Sequence, residues 1–89
     1  MSKQFKLCIL TPDGEILNKD IERIVFRTIQ GDMAVMKGHA PFTCVLATSK
    51  MKIKTGEDVI FVDIENGFAE IYPDRVMIIT DDALILHEE

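Results

Sequence analysis

Residues 59–80 constrain the fold more than any other stretch of the chain. Val59-Ile60-Phe61-Val62-Asp63-Ile64-Glu65, Phe68-Ala69-Glu70-Ile71-Tyr72 and Arg75-Val76-Met77-Ile78-Ile79-Thr80 are runs of β-branched and aromatic residues broken only by Asn66-Gly67 and Pro73-Asp74. Such runs between turn-forming pairs predict strands and tight turns, not helix. A buried sheet follows, and the remaining residues must pack on it. Asn66-Gly67 admits two constructions. One is a two-residue type I′ hairpin, which the local rule favours; the other is one long strand with a glycine-centred bulge, belonging to two sheets.

The flanking residues read the same way. Residues 5–10 alternate well enough for a first strand, and Thr11-Pro12-Asp13-Gly14 is a turn in which proline presets φ and glycine supplies the permissive position. The run 15–28 is expected to bend at Asn18-Lys19-Asp20 and continue as a second strand, with Ile24 and Phe26 toward the core and Arg23, Val25, Arg27 and Ile29 outward. A helix over 20–29 competes, but Ile24-Val25-Phe26 and Thr28-Ile29 are poor helix formers. Short strands are expected at 33–36, 42–47 and 51–54, the last by the strict alternation Met51-Lys52-Ile53-Lys54, with a hairpin through Thr55-Gly56-Glu57-Asp58. Asp81-Asp82 is expected to end the strand before it, leaving 83–86 as a separate last strand. Eight to ten short strands predict an all-β fold, a two-sheet antiparallel β-sandwich or flattened barrel.

Size and charge narrow the function. A chain of 89 residues supports one core, so residues 1–89 form a single domain; two halves would each be too small to stand alone. Net charge is −5 and the ten basic residues are scattered singly along the sequence, which argues against nucleic acid as a partner. No run reaches the roughly 18 apolar residues of a membrane-spanning helix. Cys8 and Cys44 sit in apolar runs and read as small core residues of a reduced protein.

A catalytic pairing of His39 with Cys44 lacks an orienting third group and a helix N-terminus. Asp63 and Glu65 share a strand face, yet such pairs are commonplace on solvated strands. The carboxylates show no metal-ligand spacing, and no glycine-rich phosphate loop is present. The reading is a binding or assembly module with no cofactor, no metal and no catalytic residues.

At Gly31-Asp32-Met33-Ala34-Val35-Met36-Lys37-Gly38-His39-Ala40-Pro41-Phe42 the chain resembles the N-terminal β-sandwich domain of the F-type ATP synthase ε subunit, counterpart of the mitochondrial δ subunit. Residues 5–14 with Thr11-Pro12, Gly67-Phe68-Ala69-Glu70-Ile71, and 76–81 extend the likeness over nearly the whole chain. Ala34 and Lys37 stand where that family often has glycine and proline. Many members continue into a two-helix hairpin; the sequence in hand stops at Glu89, so nothing of that hairpin is carried over.

The resemblance implies a non-catalytic rotor subunit of the central stalk, linking the γ subunit to the membrane c-ring and helping to couple proton or sodium flow to ATP synthesis. It would be peripheral, on the cytoplasmic face of the cell inner membrane or the equivalent side of an organelle membrane. By carry-over, Gly31 and Asp32 stand at the c-ring end, with Gly38, His39, Pro41 and Phe42 shaping the adjoining loop. Val25, Ile29, Met77 and Ile79, on faces turned from the core, are candidates to meet γ. The alternative is a stand-alone β-sandwich interaction module, such as an adaptor or homodimer.

Overall fold

Eight strands make up the regular structure of residues 3–87, the part that the computed structural model describes. They are β1 (Phe5–Thr11), β2 (Gly14–Ile21), β3 (Arg23–Thr28), β4 (Gly31–Val35), β5 (Phe42–Leu46), β6 (Ser49–Thr55), β7 (Asp58–Tyr72) and β8 (Arg75–His87). The competing helix over 20–29 does not form. β2 runs straight through Asn18-Lys19-Asp20, where a bend was expected, because an edge strand can leave all three side chains in water; the break falls at Glu22 instead.

β7 and β8 hold the architecture together. They form one long antiparallel ribbon closed by the Pro73-Asp74 turn, with Tyr72 opposite Arg75 and Ile60 opposite His87. Half of the ribbon, 67–72 with 75–80, is flanked by β5 on one side and by β1 then β2 on the other. Its remaining half, 58–65 with 82–87, is flanked by β6, followed by β3 and β4. Two five-stranded layers therefore share the same two strands, and Thr28 opposite Leu46 stitches β3 to β5 at one side. All pairings are antiparallel except β1 with β8, which is parallel.

Asp81-Asp82 does not end a strand, contrary to expectation, and Asn66-Gly67 is not a hairpin. The register is unchanged across both: Glu65 faces Asp82 and Gly67 faces Thr80. What changes is the phase of burial. Ile60, Val62 and Ile64 point inward before the junction and Ala69 and Ile71 after it; Val76, Ile78 and Thr80 point inward before Asp81, and Ala83 and Ile85 pack on the core after it. Both strands skip one residue of alternation together, so neither gains a residue over the other and the bulge reading is half right. A ribbon passing from one layer to the other must make this half-turn to keep its apolar side on the core.

The backbone supplies the half-turn at Asn66 (φ 51°) and Gly67 (φ 134°). Gly67 is required twice over, by its φ and because a methyl group there would run into the Ile79 carbonyl oxygen and stand 2.8 Å from Thr80 Cα. Thr80, 3% exposed, has its hydroxyl within reach of the carbonyls of Asn66 (2.6 Å), Glu65 (2.9 Å) and Asp82 (3.1 Å) at the junction. From outside, the Thr48 hydroxyl accepts the Asn66 backbone N–H at 3.1 Å and donates to Asn66 Oδ1 at 3.2 Å. Between the layers lie Leu7, Ile9, Ile24, Phe26, Ile53 and Ile78, all essentially fully buried, each contributing about 1.5–3 kcal/mol of apolar burial.

Candidate functional site

Strand register turns the outward side chains of the first layer into rows. Val45 lies opposite Phe68, Phe68 opposite Ile79, and Ile79 opposite Leu10, an apolar row crossing four strands. Val45 is 52% and Phe68 40% exposed, while Leu10 and Ile79 are half-buried. The next row, Thr43, Glu70, Met77 and Cys8, is mixed. The third, toward the Pro73-Asp74 turn, is charged: the Arg75 guanidinium stands 4.5 Å from the Tyr72 ring centroid and Lys6 pairs with Asp20 at 3.2 Å. A sheet face graded from apolar to charged is what a docking surface with a dry centre and a wet margin requires.

Of the four outward apolar candidates, the structure keeps three near this face. Met77 and Ile79 lie on it, and Ile29, 69% exposed at the tip of the β3–β4 turn, borders it by donating its backbone N–H to the Val45 carbonyl at 3.2 Å. Val25 belongs to the other layer, between Ala34 and Lys52. Val45, Phe68 and Leu10 complete the row, and only the pairing of β5, β7, β8 and β1 brings them into line.

The glycine–histidine segment divides likewise. Gly31 and Asp32 open β4, whereas Gly38, His39 and Pro41 follow its other end and Phe42 opens β5. The first group forms a closed hairpin tip: Thr28 Oγ1 donates to the Gly31 carbonyl at 2.9 Å, and Arg27 Nε donates to Asp32 Oδ1 at 2.8 Å. That bond, with the guanidinium charge behind it, holds the Asp32 carboxyl below its ordinary range. The second group is a brace. Gly38 donates its N–H to the Pro73 carbonyl at 2.8 Å, His39 Nδ1 donates to the Ala40 carbonyl at 3.1 Å, and the His39 ring packs tilted on Phe42 with centroids 5.0 Å apart.

The cysteines part company too. Cys44 shares the inward side of β5 with Phe42 and Leu46 at the margin of the core, and its burial raises the thiol pKa, against a smaller opposing effect of a hydrogen bond with the Ala69 backbone. Cys8, which the sequence placed in the core, instead faces outward between Leu7 and Ile9, where partial burial first and then Glu15, 3.6 Å away, raise its pKa. Both shifts oppose thiolate formation. Among the described residues Cys44 and His39 share no hydrogen bond, and no three His, Cys, Asp or Glu side chains gather as metal ligands would. Nor is any helix among them long and apolar enough to cross a membrane.

Residues 4–85 match the family model described as the ATP synthase delta/epsilon chain β-sandwich domain. The sodium-ion-specific ATP synthase epsilon chain of Propionigenium modestum is 45% identical over 94% of the chain, and the epsilon chain of Bacillus thuringiensis strain Al Hakam is 32% identical over 91%. The chain spans 61% of the length of each of these relatives. Among solved structures, a chain of the Euglena gracilis mitochondrial ATP synthase OSCP/F1/c-ring assembly superposes with a TM-score of 0.89 at 27% identity, over 96% of this chain and 55% of that one. A chain of the Tetrahymena thermophila central stalk and c-ring shares the fold at 19% identity, with a TM-score of 0.76 over 94% of this chain and 69% of that one. With its described strands almost wholly inside the matched span, the protein belongs to the ATP synthase delta/epsilon chain β-sandwich family.

Proposed function

We propose that this domain is a non-catalytic element of the central stalk of an F-type ATP synthase, seated against the γ subunit and reaching the c-ring, and so peripheral to the membrane through its complex. The carrying observation is family membership over residues 4–85, together with relatives named as epsilon chains. The apolar row Val45, Phe68, Ile79 and Leu10 is the proposed γ-facing centre, with Met77 beside it. Such a face supplies the water-excluding middle of an interface, and the Tyr72–Arg75 and Lys6–Asp20 pairs a polar margin.

The β3–β4 tip, with Ile29 exposed and Asp32 held by Arg27, is the proposed contact with the polar loops of the c-ring. The Gly38–Phe42 segment then acts as an internal brace for the Pro73-Asp74 turn, without a direct role at the c-ring. A rotor part must resist deformation under load, and two layers built on one shared ribbon suit that task.

The test is capture of the γ subunit from the same organism by the folded 89-residue chain at physiological ionic strength. Wild-type protein is expected to retain γ, and the pair Phe68→Glu with Ile79→Glu to lose it while keeping the circular dichroism of a sheet. Failure of wild-type protein to hold folded γ would sink the stalk reading.

A further inference from the structure

The cations that look scattered along the sequence converge in space. On the outer side of the second layer, Arg23 lies opposite Lys54 and Val25 opposite Lys52, while Lys54 lies opposite Val59 and Lys52 opposite Phe61. Arg27 and Lys50 continue the same two strands, so five of the ten Lys and Arg residues share one face of an acidic protein. Arg27 is engaged by Asp32, and the Lys50 ammonium lies 5.8 Å from the Phe61 ring centroid. Arg23, Lys52 and Lys54 have no ion-pair or hydrogen-bonding side-chain partner among the described residues. With Val25 and Val59 they line a shallow hollow.

We propose that this hollow binds an acidic peptide segment of a partner protein, one that places an apolar side chain on Val25 and Val59 and carboxylates on Arg23, Lys52 and Lys54. The proposal stands on this face and does not rest on the stalk reading. Charge complementarity names the chemistry: three unpaired cations surround a small apolar floor. Spacing names the shape. Side chains on one side of a strand recur about every 6.8 Å and neighbouring strands lie about 4.8 Å apart, which matches alternate residues of an extended peptide.

A flat anionic membrane fits less well. Glu57 and Asp58 stand at the turn beside Lys54, Asp63 faces Lys50, and Asp32 sits at Arg27, so the positive strip is about two strands wide with carboxylates around it. A plane of headgroups meets that acidic rim, whereas a single segment lies inside it.

The probe is a ten-residue peptide with glutamate at alternate positions and a central leucine, titrated into the isotopically labelled 89-residue chain and followed by amide chemical shifts. Shifts centred on Val25, Lys52, Lys54 and Val59 are expected, with affinity falling about tenfold or more between about 0.05 and 0.5 M salt. Lys52→Glu with Lys54→Glu should abolish them, and Lys52→Gln, a milder change in an exposed side chain, should weaken binding several-fold with the thermal midpoint preserved. The same peptide with glutamine replacing glutamate should not bind. Absence of shifts at this face, shifts that survive the double substitution, or binding to phosphatidylglycerol vesicles in preference to the peptide would each overturn the proposal.

Discussion

The two halves of the β7–β8 ribbon share strands and register, and both turn apolar side chains outward, Leu84 in the second half being 60% exposed, yet they lie in surfaces of different character. Outward from 67–72 and 75–80 stand Phe68, Met77 and Ile79, continued by Val45 and Leu10 of the neighbouring strands. Outward from 58–65 stand Val59, Phe61 and Asp63, and the neighbouring strand adds Lys50, Lys52 and Lys54. What faces solvent is thus decided less by the ribbon than by the strands that flank it. The junction at Asn66, Gly67 and Thr80 keeps the halves distinct, since it alone changes which side of the ribbon is buried.

The strongest way to break this arrangement is Gly67→Ala. The added methyl meets the Ile79 carbonyl in a conformation that L-residues avoid, so a loss of about 3 kcal/mol or more is expected, read as a lower urea midpoint or failure to fold. Next comes Thr80→Val, which preserves shape but leaves the carbonyls of Glu65, Asn66 and Asp82 without their hydroxyl; about 1–3 kcal/mol should be lost by the same measurement. Equal effects of Thr80→Val and Thr80→Ser would mean that packing, not hydrogen bonding, secures the junction.

Ile79→Glu places a charge on the apolar half without touching the core. It should cost about 1 kcal/mol of stability, so that a much larger loss would show the row to be part of the fold and not a surface. The smallest change is expected for Asp32→Asn. Its carboxyl has a lowered pKa, so any stability it lends is present above the ordinary aspartate range and lost as pH falls through the lowered value. The pair is fully exposed, and thermal melts of wild type and variant should differ little at neutral pH and converge in acid.

Local pattern was enough to identify the strands around Leu7, Ile24, Phe26 and Ile53: Ile53 lies between two lysines, and the others stand in short β-branched or aromatic runs flanked by Lys6, Arg23 and Arg27. The Asn66-Gly67 junction was only half legible. Asn-Gly is a strong hairpin signal in isolation, and what overrides it is the shift in apolar phase from Ile64 to Ala69, matched by the shift from Thr80 to Ala83. Those paired shifts are visible in the sequence once the two runs are compared. Cys8 was misread for a related reason: in the run Leu7-Cys8-Ile9-Leu10 composition alone does not say which alternate pair is buried. The interaction faces were the least legible, since Val45 meets Phe68, and Arg23 meets Lys54, only through pairings between strands distant in the chain.

Sharing two strands between layers also removes any seam along which the layers could slip. Amide protons of β1 and β5 should exchange with deuterium at rates tied to those of β3 and β6, because opening either layer exposes the single apolar core that both cover. The molecule is thereby expected to melt as one foldon, and a twist applied at one layer reaches the other through covalent backbone.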